Sequence, residues 1–241
     1  MVSPLLNILI NFGEKLENYR KYPFHNFNIK SMYQPKKYLK KDPEYIFDFI
    51  KHHPFATFIL NGNRILATHI PILAEGNAEK FSLYSHIANH NEQLQFLKDG
   101  TEALLIFQGA HGYISSSWYK EKDISTWDYS AVHVNVKLKI QTREELENSL
   151  QKLVGQFETP QKNPIYYNDI PEQMLKEHLP QIIGFWCEPF KIEAVAKLHQ
   201  SAHKDDIISV TQHLEEQGDS VASELSKNIK TEVFEKSIKK E

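Results

Sequence analysis

The hydrophobic pattern of this chain changes period several times, and each change marks an element. Asp42-Pro43-Glu44 puts an acid at an N-cap and Pro in the first turn. Ile46, Phe49 and Ile50 then recur at the i, i+3, i+4 spacing of a short amphipathic helix that ends near His53-Pro54. Two β-type runs follow, Phe55–Leu60 and Arg64–Ile70, joined by Asn61-Gly62-Asn63, whose tolerance of positive φ predicts a hairpin. Phe81–His86 predicts a third strand and Glu92–Lys98 a short helix. From Leu104 to Tyr119 an apolar strand meets a Gly-x-x-Gly turn at Gly109–Gly112, and a second run ends in hydroxyls and aromatics. Val132, Val134, Val136, Leu138 and Ile140 alternate with His133, Asn135, Lys137 and Lys139, the clearest strand of all. Arg143–Gln156 predicts a helix with Leu146, Leu150, Leu153 and Val154 on one side. Beyond it come a Pro/Asn/Tyr-rich loop over 157–170, a short helix after Pro171, a β-rich run Ile182–Leu198 and an acid-started helix Asp205–Gln217. Residues 223–241 read as a Lys/Glu-rich tail that frays.

Short strands at near-regular spacing, broken only by small helices, predict an α+β chain, mainly β, built on a closed or partly closed antiparallel barrel. Strands do not alternate with long helices, which argues against a doubly wound parallel sheet. No repeat of 20–50 residues and no Gly-rich phosphate loop is present.

Composition narrows the function. The 241 residues carry a net charge of −3, so no global basic field invites nucleic acid or anionic lipid. The single Cys187 permits no internal disulfide, and a reduced, cytoplasmic setting is the default. Pro4–Phe12 is apolar but too short to span a bilayer, with no basic stretch before it, so no membrane role is expected. The 12 histidines show neither an HExxH nor a Cys/His spacing, and no dedicated metal site is expected. The chemistry concentrates instead at Gln108, His111, Tyr113, Ser115, Ser117, Trp118, Trp127 and Tyr129. So many planes and hydroxyls in about one strand-turn-strand unit suit a flat, polar-edged ring ligand.

These residues also carry a resemblance. Met32-Tyr-x-Pro, His53-Pro54-Phe55-Ala56-Thr57, Ala67-Thr68-His69-Ile70-Pro71 and His86-Ile87-Ala88-Asn89 belong to it. So do Ile106-Phe107-Gln108-Gly109-x-His111-x-Tyr113-Ile114-Ser115-x-Ser117-Trp118-Tyr119, Thr126-Trp127-x-Tyr129, Val132-His133 and Ile183-Gly184-Phe185. In unbroken order over roughly residues 32–218, the chain resembles the PaiB-type FMN-binding negative transcriptional regulators. The resemblance implies the FMN-binding split-barrel type, with peripheral and C-terminal helices, and a homodimer holding FMN at its interface. The chain departs from that pattern at three places. It has Lys197-Leu198-His199-Gln200-Ser201 for Lys-Leu-Ser-Gln-Asn, Ser116 for a common Pro, and Asp128 for an Asn.

The resemblance implies site residues as well. Ser85, His86 and Asn89, at a strand end running into a helix start, are placed to hold a phosphate, although Ser85 and Asn89 equally serve as helix caps. Thr57, Thr68 and His69 on the first hairpin offer polar groups to the flavin's pyrimidine edge; a strand Thr also bonds backbone or water. Gln108 sits beside a glycine where backbone approaches a ring closely, and Trp118, Trp127 and Tyr129 can stack on it or line a dimer seam. Lys197 reaches a phosphate or a ring carbonyl, or remains a solvated rim charge. The expected organisation is an extension over 1–31, a barrel core over 32–142, a helical segment with a returning strand over 143–218, and a polar tail over 219–241. The expected function is FMN-dependent negative regulation, with DNA as a partner by resemblance although no DNA-binding motif is readable. The competing expectation is a flavin-dependent oxidoreductase or haem-modifying enzyme on the same barrel, with His111 and Tyr129 as proton donors.

Overall fold

The computed structural model describes residues 32–33, 35–121 and 123–235. The expectation of an extension over 1–31, like the end of the tail beyond Glu235, lies outside them. Eight strands form one antiparallel sheet: β1 (Leu39–Lys40), β2 (Phe55–Asn61), β3 (Ile65–Pro71), β4 (Leu73–Asn77), β5 (Lys80–Ala88), β6 (Glu102–Ile114), β7 (Thr126–Ile140) and β8 (Ile182–Lys197). Their order is β3-β2-β6-β7-β8-β5-β4, with β1 added beside β8. The two end strands, β3 and β4, are separated in the chain by Ile72 alone. A sheet whose opposite edges are joined by one residue must curl, and the result is a barrel left split between those edges.

The barrel interior is filled from every side by Phe58, Leu105, Phe107, Val132, Leu83 and Phe185, all fully buried. Helix α1 (Pro43–His52) closes it with Phe49 and Ile50, started by the Asp42 side chain, which accepts from the Glu44 amide. Helix α2 (Arg143–Glu158) begins with a capping box between Thr142 and Glu145. A short α3 (Glu172–His178) follows, then α4 (Lys204–Glu216) and α5 (Ser220–Lys230).

Four expectations change here. The Gly109–Gly112 segment is not a turn: β6 runs straight through it with a β-bulge between Gln108 and His111. The glycine serves close packing, because a Cβ at Gly109 would stand 2.5 Å from the Ser130 hydroxyl and 3.0 Å from the Phe49 ring. The β2–β3 hairpin forms as expected. Gly62, however, is absent from the positive-φ positions, and a Cβ there would fall 2.5 Å from the Phe96 ring. Strand β4 went unanticipated because only Leu73 of its five residues is buried. The expected fraying tail instead begins as α5, capped by Asp219 and burying Ala222, Leu225 and Ile229. These pack with Ile207, Val210 and Leu214 of α4 and with Ala110, Ile114 and Ala196 of the sheet, forming a second core outside the barrel.

Candidate functional site

Among the described residues, no layer covers the outward face of β3-β2-β6-β7. Strand alternation sends Phe55, Thr57 and Ile59 of β2, and Ile65, Ala67 and His69 of β3, away from the barrel core. Leu104, Ile106 and Gln108 continue that face on β6, and His133 and Asn135 on β7. Register fixes the neighbours: His69 pairs with Thr57, Thr57 with Ile106, and Ile106 with His133. Phe55 is 66% exposed and Ile65 76%, on the same face.

The bulge in β6 adds one residue, so that Gln108, His111 and Tyr113 all point outward despite their spacing. His111 is paired with Tyr129 and Tyr113 with Trp127. The His111 and Trp127 rings stack with centroids 5.9 Å apart, and the indole Nε1 donates to His111 Nδ1 over 3.3 Å. Tyr113 and Trp127 are each 51% exposed. The result is an open platform of aromatic planes edged by the Gln108 amide and the Tyr129 hydroxyl. Burial, helped by Tyr33, holds the Tyr129 phenol above its ordinary pKa, so it stays protonated and able to donate.

The other expected residues lie elsewhere. Thr68 points to the interior side of β3 between Leu66 and Ile70, opposite to His69. Ser85, His86 and Asn89 do not converge. Strand β5 continues to Ala88, so alternation separates Ser85 from His86. Ser85 is buried and donates to the Pro71 carbonyl at 2.7 Å, tying β5 to the end of β3. His86 pairs with Gly184 of β8, and burial lowers its pKa. Asn89 is exposed and binds the backbone carbonyls of Gln181 and Pro180. The following helical turn, Glu92–Phe96, is capped by Asn91. Trp118 leaves the platform and stacks on His213 of α4 at 5.1 Å.

Lys197 sits at the end of β8, opposite Tyr129. Its ammonium donates to the Thr126 hydroxyl and, over 2.8 Å, to the Trp127 carbonyl. It also lies 3.6 Å from a carboxylate oxygen of Asp128, which is 1% exposed. The other Asp128 oxygen accepts from His199 Nδ1, and His199 Nε2 is bonded to the Tyr119 hydroxyl at 3.1 Å. Sequence reasoning did not assemble this chain of groups, although Asp128 and His199 are two of the three departures noted above. His199 adopts φ 59°, a left-handed conformation that costs a side-chain-bearing residue about 1–2 kcal/mol. Desolvation first, and Asp128 second, push the Tyr119 phenol up to about 12.

Comparison with known proteins agrees with this architecture. Residues 32–188 match the family described as "Putative FMN-binding domain". The chain is 28% identical over 211 residues to the Protease synthase and sporulation protein PAI 2 of Bacillus subtilis, covering 87% of this chain and 100% of that protein. The solved structure of the FAD and heme binding protein from Mycobacterium smegmatis aligns with a TM-score of 0.51 at 14% identity, over 71% of this chain and 79% of that one, which shows a shared fold. This chain belongs to the PaiB-type family of FMN-binding split-barrel proteins. Its cofactor is FMN, which when bound supplies the electron chemistry while the chain orients and covers it. The open platform fits the ring end of that cofactor: planes to stack on, with an amide, a phenol and imidazoles at the edge. Ser85, His86 and Asn89 are not brought together within the chain.

Proposed function

We propose that two copies of this chain meet through the outward β3-β2-β6-β7 face and hold FMN in the seam. In this reading the ring rests near Gln108, His111, Trp127 and Tyr129. Thr57, His69 and His133 on the same face supply hydroxyl and imidazole contacts to the polar edge or the phosphate. The observation that carries the reading is the face itself. Phe55, Ile65, Tyr113 and Trp127 are all at least half exposed on one continuous sheet surface, with Leu104 and Ile106 between them. A soluble chain rarely leaves such a patch uncovered, and aromatic rings are the residues enriched where proteins meet. The flavin-loaded dimer acts as a cytoplasmic negative regulator of gene expression. Support comes from the Bacillus relative, whose whole length this chain covers.

Titrating FMN into the purified protein while following flavin fluorescence and sedimentation tests this directly. The expected result is saturable quenching at one FMN per chain in a species of twice 28.1 kDa. A 28.1 kDa species indifferent to FMN would refute it. Regulation is tested by transcript levels in cells lacking the gene: specific transcripts should rise, be restored by the wild-type chain and be restored less by Trp127→Ala.

A further inference from the structure

The flavin face leaves one group of chemically active side chains unused. Tyr119 comes from the loop after β6, Asp128 from β7, and His199 from the turn between β8 and α4. Together with Lys37, Tyr38 and Lys197 they line a cleft of about 200 Å³. The hydrogen bonds among them link one acid to one phenol through an imidazole. In the arrangement with a neutral ring, Nδ1–H donates to the Asp128 carboxylate and Nε2 accepts the single proton of Tyr119. What Tyr119 leaves for the cleft is an oxygen able only to accept.

We propose that Tyr119, His199 and Asp128 form an acid–base relay, and that the cleft beside them is a second binding site, for a ring-sized molecule bearing a weakly acidic hydroxyl of the phenol or enol class. A carboxylic acid is already ionised near neutral pH and brings no proton to an accepting oxygen, whereas a phenol or enol does. The cleft volume holds one ring, and Tyr38 and Tyr119 provide flat walls. In the transfer, the ligand O–H bond breaks and its proton binds the Tyr119 oxygen, while the phenol's own proton moves to His199 Nε2. The electron pair stays on the ligand oxygen, near the ammonium groups of Lys197 and Lys37. One proton has left the ligand and one has arrived on the imidazole, whose new charge is paired with buried Asp128. The remaining charged groups near Tyr119 are Asp123 at the cleft and Asp206 on α4. Neither is hydrogen-bonded to the relay: Asp206 accepts from the Lys120 amide and Asp123 from the Ile124 amide. The inference rests on this cleft and not on the flavin reading, and it places the relay's histidine outside the family-matched residues 32–188.

The test uses the full-length protein and 4-nitrophenol, whose neutral and ionised forms differ in colour, at a pH where the free compound is mostly protonated. Expected are saturable binding with the phenolate band and a shift of the His199 ring nitrogens to the imidazolium position in the nuclear magnetic resonance spectrum. Tyr119→Phe, which deletes one oxygen and keeps the ring, should abolish the band and weaken binding about tenfold, the loss of one hydrogen bond to a charged group. The double variant Asp128→Asn with His199→Ser, matching the residues of the resembling family, should do the same. A phenol that binds in its neutral form, a His199 signal that stays neutral, or a Tyr119→Phe protein that still produces the coloured complex would overturn the relay.

Discussion

The two sides of β7 differ in how completely their polar and aromatic groups are satisfied within one chain. On the outward side Trp127 is half exposed, and its ring lies against those of His111 and Tyr113. On the other side Asp128 is buried, with His199 and Lys197 against its carboxylate, and Ser130 lies beneath Gly109. The same strand thus carries a surface left open among the described residues and a cluster that is already assembled. The closed side contributes to the stability of the single chain, whereas the open side contributes when something covers it. Substitutions on the two sides should therefore separate folding from binding.

The largest effect belongs to the closed side. Leu225→Ala, in the second core beneath β6, should cost about 2–5 kcal/mol in chemical denaturation, the range for a fully buried leucine. On the open side Ile65→Lys should change the same measurement by no more than about 0.5 kcal/mol, as exposed positions do. Asp128→Ala comes next, at about 3 kcal/mol, because it removes the buried acceptor shared by the Lys197 ammonium and the His199 imidazole. Trp127→Ala should leave the melting temperature in place and weaken flavin binding by about 1 kcal/mol, the contribution of a stacked aromatic pair. Equal losses of stability from Trp127→Ala and Asp128→Ala would erase the distinction.

The smallest effect is graded with pH. Burial lowers the imidazole pKa at His53, His86 and His133, partly offset by Glu224 at the first and Glu193 at the last. Below the ordinary value of 6.5 the unfolded chain then binds more protons than the folded one. Stability is present above that value and is lost as pH falls through it toward the folded-state pKa. Denaturation midpoints at pH 5 and pH 7.5 should show the loss, and His86→Asn should flatten it.

What sequence revealed follows how local each signal was. The alternation of Val132 to Ile140 and the cap at Asp42 depend on neighbours in the chain, and both appear in the structure as expected. The β6 bulge was misread as a turn because a glycine that avoids a clash with Ser130 looks the same in sequence as one that turns the backbone. The α5 spacing of Ala222, Leu225 and Ile229 was present but hidden among Lys and Glu, since its partner face on α4 is a tertiary fact. The aromatic platform was legible because Trp127, Tyr129 and His111 stand on paired strands close in sequence. The Asp128–His199 bond joins residues 71 apart, and only the return of β8 beside β7 creates it. Its trace in the sequence was a pair of departures that turn out to be in contact.

The most direct test of the open face is a double variant, Ile65→Glu with Ile106→Glu, studied by sedimentation in the presence of FMN. The account predicts a folded 28.1 kDa species with no bound flavin, lower in melting temperature only by what the second copy and the cofactor contribute. A single chain that still binds FMN would contradict it, since the cofactor would then need no second copy.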